Sequence, residues 1–228
     1  MDKAKIEGLA RQLHMELWER RADFWPERDP SPFEILDPEL VAEHLGIGYA
    51  LSESLGRFGA RGMQFEVAGS VDRHRRVISV SRKFPFETMR FTGAHEIGHW
   101  LLHPGEVMHR DRPIKGMEGV LEHSRPLDEK EADYFAGCFL MPEKLVRRTF
   151  HRLFGKDLSF DEETAFELSP NDFSAFLRPR DNSLSRELII ATAQRFNGLR
   201  FRSLAEQFSV SPRSMAIRLR ELDLVPWP

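Results

Sequence analysis

Cysteine is almost missing from this chain: Cys138 stands alone among 228 residues. That excludes an intramolecular disulfide framework and any cysteine-rich zinc ribbon, and it fits a reducing compartment. No charge of one sign dominates either. Lys and Arg number 33 against 36 Asp and Glu, for a formal net charge of −3 and a pI near 6.3. Nucleic-acid binding driven by overall charge is therefore excluded, although a local basic patch is not. Long apolar runs are lacking, and none approaches the length that spans a bilayer. The opening residues, Met1 to Gln12, are charged throughout and have no apolar signal core. The sequence thus reads as cytoplasmic. It has no internal repeat and no low-complexity tract. What is present is a globular mixture, 41% hydrophobic and 30% charged, of a size that buries roughly 70% of its unfolded surface without staples.

Along the chain, residues 3–21 read as a helix, with Ile6, Leu9, Leu13 and Leu17 spaced three to four apart. Three prolines between Pro26 and Pro32 end it. A second helix starts at Asp37-Pro38, with Asp37 as N-cap and Pro38 at the first helical position, and stops at Gly46. Tyr49–Leu51 fits a short strand. Gln64–Ala68 and Val77–Ser81 alternate and carry β-branched residues, so a hairpin around the polar stretch Gly69–Arg76 is expected. Helices follow at 86–103 and 128–140, separated by a long loop over 104–126, and Pro142 opens another. Residues 155–183 are mixed, with turn signals at Ser169-Pro170-Asn171 and around Pro179. The last 45 residues read as all-helical.

The strongest chemical signal is His95-Glu96-Ile97-Gly98-His99. On a helix, i and i+4 share a face, so the two imidazoles can converge on one zinc ion. Glu96 lies beside that point without being a ligand, placed to take a proton from the attacking water and pass it to a leaving amine. The bland reading is a chance match on an ordinary helix. Against it, Phe91, Ala94, Gly98, Trp100, Leu101 and Leu102 give this helix buried faces. Catalytic zinc sites use three protein ligands and keep one position open, and Asp128-Glu129-Lys130-Glu131-Ala132-Asp133 supplies a third. Glu129 and Asp133 are i and i+4, so Glu129 can ligate while Asp133 receives a hydrogen bond from the other nitrogen of a ligand histidine. Glu131 is the rival ligand, but its i+4 partner is Phe135. Ala132, Ala136 and Gly137 argue against a merely solvated acidic helix start, because small residues permit close approach where Gly98 is also small. His103, one turn beyond His99, reads as a supporting histidine. Tyr134, His109 and His123 are candidate oxyanion donors, and Cys138 reads as a small core residue. A His₂Glu set also accepts manganese.

The stretches Arg90–His103 and Glu129–Pro142 resemble the signature of the ImmA/IrrE metallopeptidase family, and the likeness extends from about residue 36 to 150. The resemblance implies an α+β fold: a zincin-like core with a small antiparallel sheet and an active-site helix over residues 1–154. A connecting segment, 155–182, and an all-helical, helix-turn-helix-like tail, 183–228, would follow. It also implies a gluzincin-type site, with His95, His99 and Glu129 on zinc and Glu96 as base, and a helix-turn-helix repressor as substrate, cut to switch on stress or mobile-element genes. Such a peptide would lie extended in the cleft, and the edge of the Gln64–Ser81 hairpin could pair with it.

In the tail, Leu204, Ala205, Phe208, Val210, Met215, Leu219 and Leu222 fit the core of a helix-turn-helix. From Ser183 to Asp223 there are seven arginines and four acids, so 7 − 4 = +3, with no lysine. If the helix starting near Pro212 entered the major groove, Pro212, Arg213, Ser214 and Ile217 would lie at the base edges, with Arg218 and Arg220 left for phosphates. The competing function is therefore a DNA-binding regulator whose metal site is sensory or structural. Glu96 favours the enzyme, since a structural site has no use for an acid beside an open coordination position.

Overall fold

The computed structural model describes residues 1–58, 64–105, 108–111, 126–156, 158–181 and 183–226, with 108–111 described by backbone alone. The chain divides into two compact units, Met1–Leu140 and Met141–Pro228. The class is α+β, with small sheets and many helices.

In the first unit, α1 (Lys3–Glu19) is capped by Asp2, which accepts from the Lys5 amide, and buries Ile6, Ala10, Leu13 and Leu17. A single turn, α2 (Arg21–Phe24), follows. Helix α3 (Pro38–His44) starts as the sequence indicates, with Asp37 accepting from the Glu39 amide and Pro38 in the first turn. The strands β1 (Gly48–Ser52), β2 (Arg57–Phe58), β3 (Phe65–Glu66), β4 (Gly69–Asp72) and β5 (Val77–Ser81) precede the long helix α4 (Phe86–Leu102). Strand β6 (Met108–Asp111) and helix α5 (Leu127–Leu140) complete the unit.

The main sheet runs in the order β1-β5-β4-β6. It is mixed, not antiparallel as expected: β1 pairs parallel with β5, Gly48 opposite Val77, whereas β4 pairs antiparallel with both β5 and β6. A parallel neighbour needs a long crossover rather than a hairpin, and β2 and β3 lie within that crossover as a separate antiparallel pair. The expected hairpin is also shifted. Its first strand is Gly69–Asp72, turning through residues 73–76, so Gly69 faces Val80 and Asp72 faces Val77. Alternate residues Gly69 and Val71 are buried, and that inward face outweighs the polar look of the segment. Both flanks of this hairpin are occupied, by β1 and by β6, so its edge is not free for a peptide as the sequence suggested. The loop expected over 104–126 contains β6; residues 106–107 and 112–125 lie outside the described residues.

The second unit holds α6 (Glu143–Phe154), α7 (Glu162–Leu168), α8 (Phe173–Leu177), α9 (Ser185–Thr192), β7 (Arg195–Phe196), β8 (Leu199–Arg200), α10 (Leu204–Phe208) and α11 (Pro212–Glu221). It is not all-helical at its C-terminal end. Strands β7 and β8 form a minimal hairpin, Arg195 opposite Arg200 and Phe196 opposite Leu199. Asn197 and Gly198 at its tip both take positive φ, 48° and 74°, the backbone that a two-residue hairpin turn requires. Helix α10 carries a capping box between Ser203 and Glu206, and α11 begins at Ser211, whose side chain accepts from the Ser214 amide. Leu204, Ala205, Phe208, Val210, Met215, Leu219 and Leu222 are all buried, as their spacing indicates.

Among the described residues, no helix is long and apolar enough to cross a membrane.

Candidate metal centre

Helix α4 is buried along an unbroken stretch, Thr92 to His99. The sheet covers it on one side and α5 on another, so polar residues in its middle are drawn into the interior. His95 and Glu96 are 0% exposed and His99 is 1% exposed. Polar groups buried this deeply are costly unless their partners are built in. The i,i+4 spacing brings the Nε2 atoms of His95 and His99 to 3.0 Å from each other.

Helix α5 supplies the third donor, and small residues let it come close. A β-carbon on Gly98 would stand 3.0 Å from the Ala132 Cα and 3.2 Å from its carbonyl oxygen. Gly137 plays no part in that approach, because a β-carbon there would meet nothing within 4 Å; the seam is made by Gly98 and Ala132. At this separation the Glu129 carboxylate faces both imidazoles, with Oε2 3.7 Å from His95 Nε2 and Oε1 3.7 Å from His99 Nε2. Among the described residues, His95, His99 and Glu129 form the cluster whose donor atoms converge, all within 4.8 Å of one another. Two imidazole nitrogens and one carboxylate, aimed at a common point, fit a divalent metal ion, which takes such nitrogen and oxygen donors at about 2.0–2.2 Å.

The outward-facing nitrogens of both histidines are also engaged. His95 Nδ1 lies 2.9 Å from Asp133 Oδ1, the arrangement anticipated from the i,i+4 spacing of Glu129 and Asp133. His99 Nδ1 lies 3.0 Å from His103 Nδ1, and His103 Nε2 lies 3.2 Å from Glu131 Oε2. Glu131, the rival ligand in the sequence, therefore sits on His103 and not at the point of convergence. Arg73, in the turn between β4 and β5, donates from Nη2 to the carbonyls of His99, Trp100 and His103 at 2.8, 2.8 and 3.0 Å. Its guanidinium also stacks over the Trp100 ring at 4.6 Å. A cation at the last carbonyls of a helix is favoured by the helix dipole, and here it secures the turn that carries His99.

Glu96 is held from the sheet side. A β-carbon on Gly69 would stand 2.6 Å from Glu96 Oε1 and 2.5 Å from Thr92 Cγ2. One turn earlier, Gly93 accommodates the Tyr49 hydroxyl, 2.1 Å from where its β-carbon would be. Burial pushes the Tyr49 phenol up, with the Asp37 and Glu39 carboxylates adding to the shift.

The remaining sequence candidates separate clearly. Tyr134 donates its hydroxyl to Glu7, and the Lys3 ammonium lies 4.9 Å over its ring, so it serves the α1–α5 contact. Cys138 is buried on α5 as a core residue. His123 and the side chain of His109 lie outside the described residues. Sequence reasoning missed Gly69, Arg73 and Tyr49. Only Gly69, a glycine beside a strand-like segment, carried a local signal, that of a close approach by another group.

Two comparisons bear on this site. No curated protein matches the chain. The family model described as Peptidase M78, IrrE N-terminal-like domain, matches residues 60–220, which include every member of the donor cluster and most of the chain. Together with the convergent His-His-Glu donors, the match shows that the chain belongs to the Peptidase M78 (IrrE N-terminal-like) family of metallopeptidases.

Proposed function

We propose that this protein is a zinc-dependent endopeptidase with a zincin-like core, in which His95, His99 and Glu129 hold the metal, Glu96 is the general base and Asp133 orients His95. The observation that carries this reading is the convergence of His95 Nε2, His99 Nε2 and Glu129 at one point, with the Glu96 carboxylate on the same helix in a fully buried position. A zinc ion held there would polarise the scissile carbonyl and acidify a water molecule. Glu96 takes the proton of the attacking water and returns it to the departing amine. Asp133 accepts from His95 Nδ1–H, which keeps His95 in the tautomer whose Nε2 is bare.

By the family resemblance, the substrate is a helix-turn-helix repressor in the cytoplasm, cut in an exposed or locally unfolded segment. Manganese is the competing metal. The DNA-binding alternative is weakened by where the tail arginines go. Arg218 is 4% exposed, donates to the Met141 carbonyl at 3.0 Å and pairs with Glu221. Arg220 pairs with Glu187 at 2.7 Å and donates to the Ser183 carbonyl. The cations left for phosphates in a groove-binding mode are thus spent inside the second unit, whose α10 and α11 support a helix-turn-helix-like packing module.

The test is to purify the protein, quantify its metal and incubate it with the repressor encoded beside it. Glu96→Gln should keep fold and metal and abolish cleavage, because the amide preserves size but cannot accept the proton. A variant that cleaves at the wild-type rate overturns the general-base role.

A further inference from the structure

We infer that His103 and Glu131 form a two-residue relay that sets the tautomer and orientation of His99, which makes both of them positioning residues of the metal centre. The inference rests on the metal-centre reading above and extends it to the second histidine.

The argument starts from hydrogen-bond direction. A neutral imidazole has one N–H donor and one bare nitrogen. His99 can offer Nε2 to a metal only if its proton is on Nδ1, and then Nδ1–H must donate. The atom facing it at 3.0 Å is His103 Nδ1, which must therefore be bare. His103 then carries its own proton on Nε2, and that N–H faces Glu131 Oε2 at 3.2 Å. A carboxylate can only accept, so Glu131 fixes the direction of the whole chain. With the carboxylate in place, Glu131 selects the Nε2–H tautomer of His103, and this selects the Nδ1–H tautomer of His99.

The geometry around His103 makes the relay stiff. Its side chain is 13% exposed. Its backbone N–H bonds to the His99 carbonyl, and its own carbonyl accepts from Arg73. The ring is thus anchored at the end of α4 and held across to α5 at Glu131. His95 reaches a carboxylate directly, through Asp133 at 2.9 Å, whereas His99 reaches one through a second imidazole. The two ligand histidines are oriented by two arms of different length, both ending on the first turns of α5.

The experiment measures Zn²⁺ affinity by competition with a chromophoric chelator, and separately the His103 tautomer in the zinc-loaded protein by long-range ¹H–¹⁵N NMR, which should show a single Nε2–H form. His103→Leu should weaken Zn²⁺ binding about 10–100-fold, the usual effect of removing an outer partner of a ligand histidine. His103→Asn places an amide oxygen near the lost Nδ1, so it should recover most of the affinity. Glu131→Ala, which leaves His95, His99 and Glu129 in place, should weaken affinity about tenfold. If His103→Leu does not fold, as judged by circular dichroism, His103→Asn and Glu131→Ala carry the test. Wild-type affinity in the folded variants, or an Nδ1–H form of His103 in the zinc-loaded protein, would overturn the relay. The metal-centre reading fails differently, by His99→Ala retaining wild-type affinity.

Discussion

Gly69 of β4 faces Glu96 of α4 so closely that a β-carbon on the glycine would stand 2.6 Å from the Glu96 carboxylate. The sheet therefore serves as the backstop of Glu96, the proposed general base. Gly69→Ala should push Glu96 aside while leaving His95, His99 and Glu129 on their own supports. Cleavage is expected to fall about 100-fold, the scale of an ångström misplacement, at a stability cost of about 1–3 kcal/mol for overpacking. Zinc affinity should stay near wild type. Equal losses of affinity and activity in chelator competition and peptide cleavage would show that Gly69 supports the donors instead.

Removing Glu129 leaves two protein donors. Glu129→Ala should weaken zinc binding by orders of magnitude, because the site falls below three ligands, whereas Asp133→Asn should cost about 10–100-fold in affinity. Isothermal titration or chelator competition separates the two. Loss of binding in Glu131→Ala with full binding in Glu129→Ala would reverse the ligand assignment.

His14 provides a pH-dependent contribution far from catalysis. Its ring stacks on Phe139 at 5.1 Å and Nε2–H donates to the Phe139 carbonyl at 2.8 Å. Burial pushes its pKa down from 6.5 to about 4. The unfolded chain therefore binds this proton more readily than the folded one. The stabilisation is full above pH 6.5 and is lost as pH falls towards 4, up to about 3 kcal/mol before solvent screening reduces it. In metal-free protein, denaturant midpoints between pH 7 and 4.5 should drop less steeply for His14→Gln than for wild type. Parallel pH profiles would remove His14 from this role.

The C-terminal helices should not bind DNA specifically at physiological salt. Arg218 and Arg220 are engaged internally, and the exposed side of α11 offers Arg213 and Ile217 alongside Glu221. Fluorescence anisotropy with a panel of duplexes should give only weak binding that falls steeply with salt. Saturable submicromolar binding to one sequence, lost in Arg213→Ala, would make the protein a DNA-binding regulator.

What could be read from the sequence was what depends on short spacing. His95 and His99 declare themselves by i,i+4, Glu129 is separated from Glu131 by its i+4 Asp133, and Asp37-Pro38 marks a helix start. The missed features depend on distant pairing. Nothing local to Arg73 indicates that it will collect the carbonyls ending α4, and the parallel match of β1 to β5 depends on the crossover between them. The β7–β8 hairpin is different. Asn197-Gly198 is a strong turn signal, but the flanking strands are only two residues each, too short to show alternation. Gly137 misled for the opposite reason: its composition matched a close contact, but its face of α5 is not the one turned to α4.

The approach of Ala132 to Gly98 has a calorimetric consequence. Because α4 and α5 meet backbone to backbone, their packing should hold the donors together without an ion. Ion capture then orders little chain and buries little further apolar surface. Its heat-capacity change should be small, in contrast to small metallo-domains that fold only on loading. The ion-free protein should melt as a cooperative folded species, with a midpoint that climbs with the logarithm of free ion concentration.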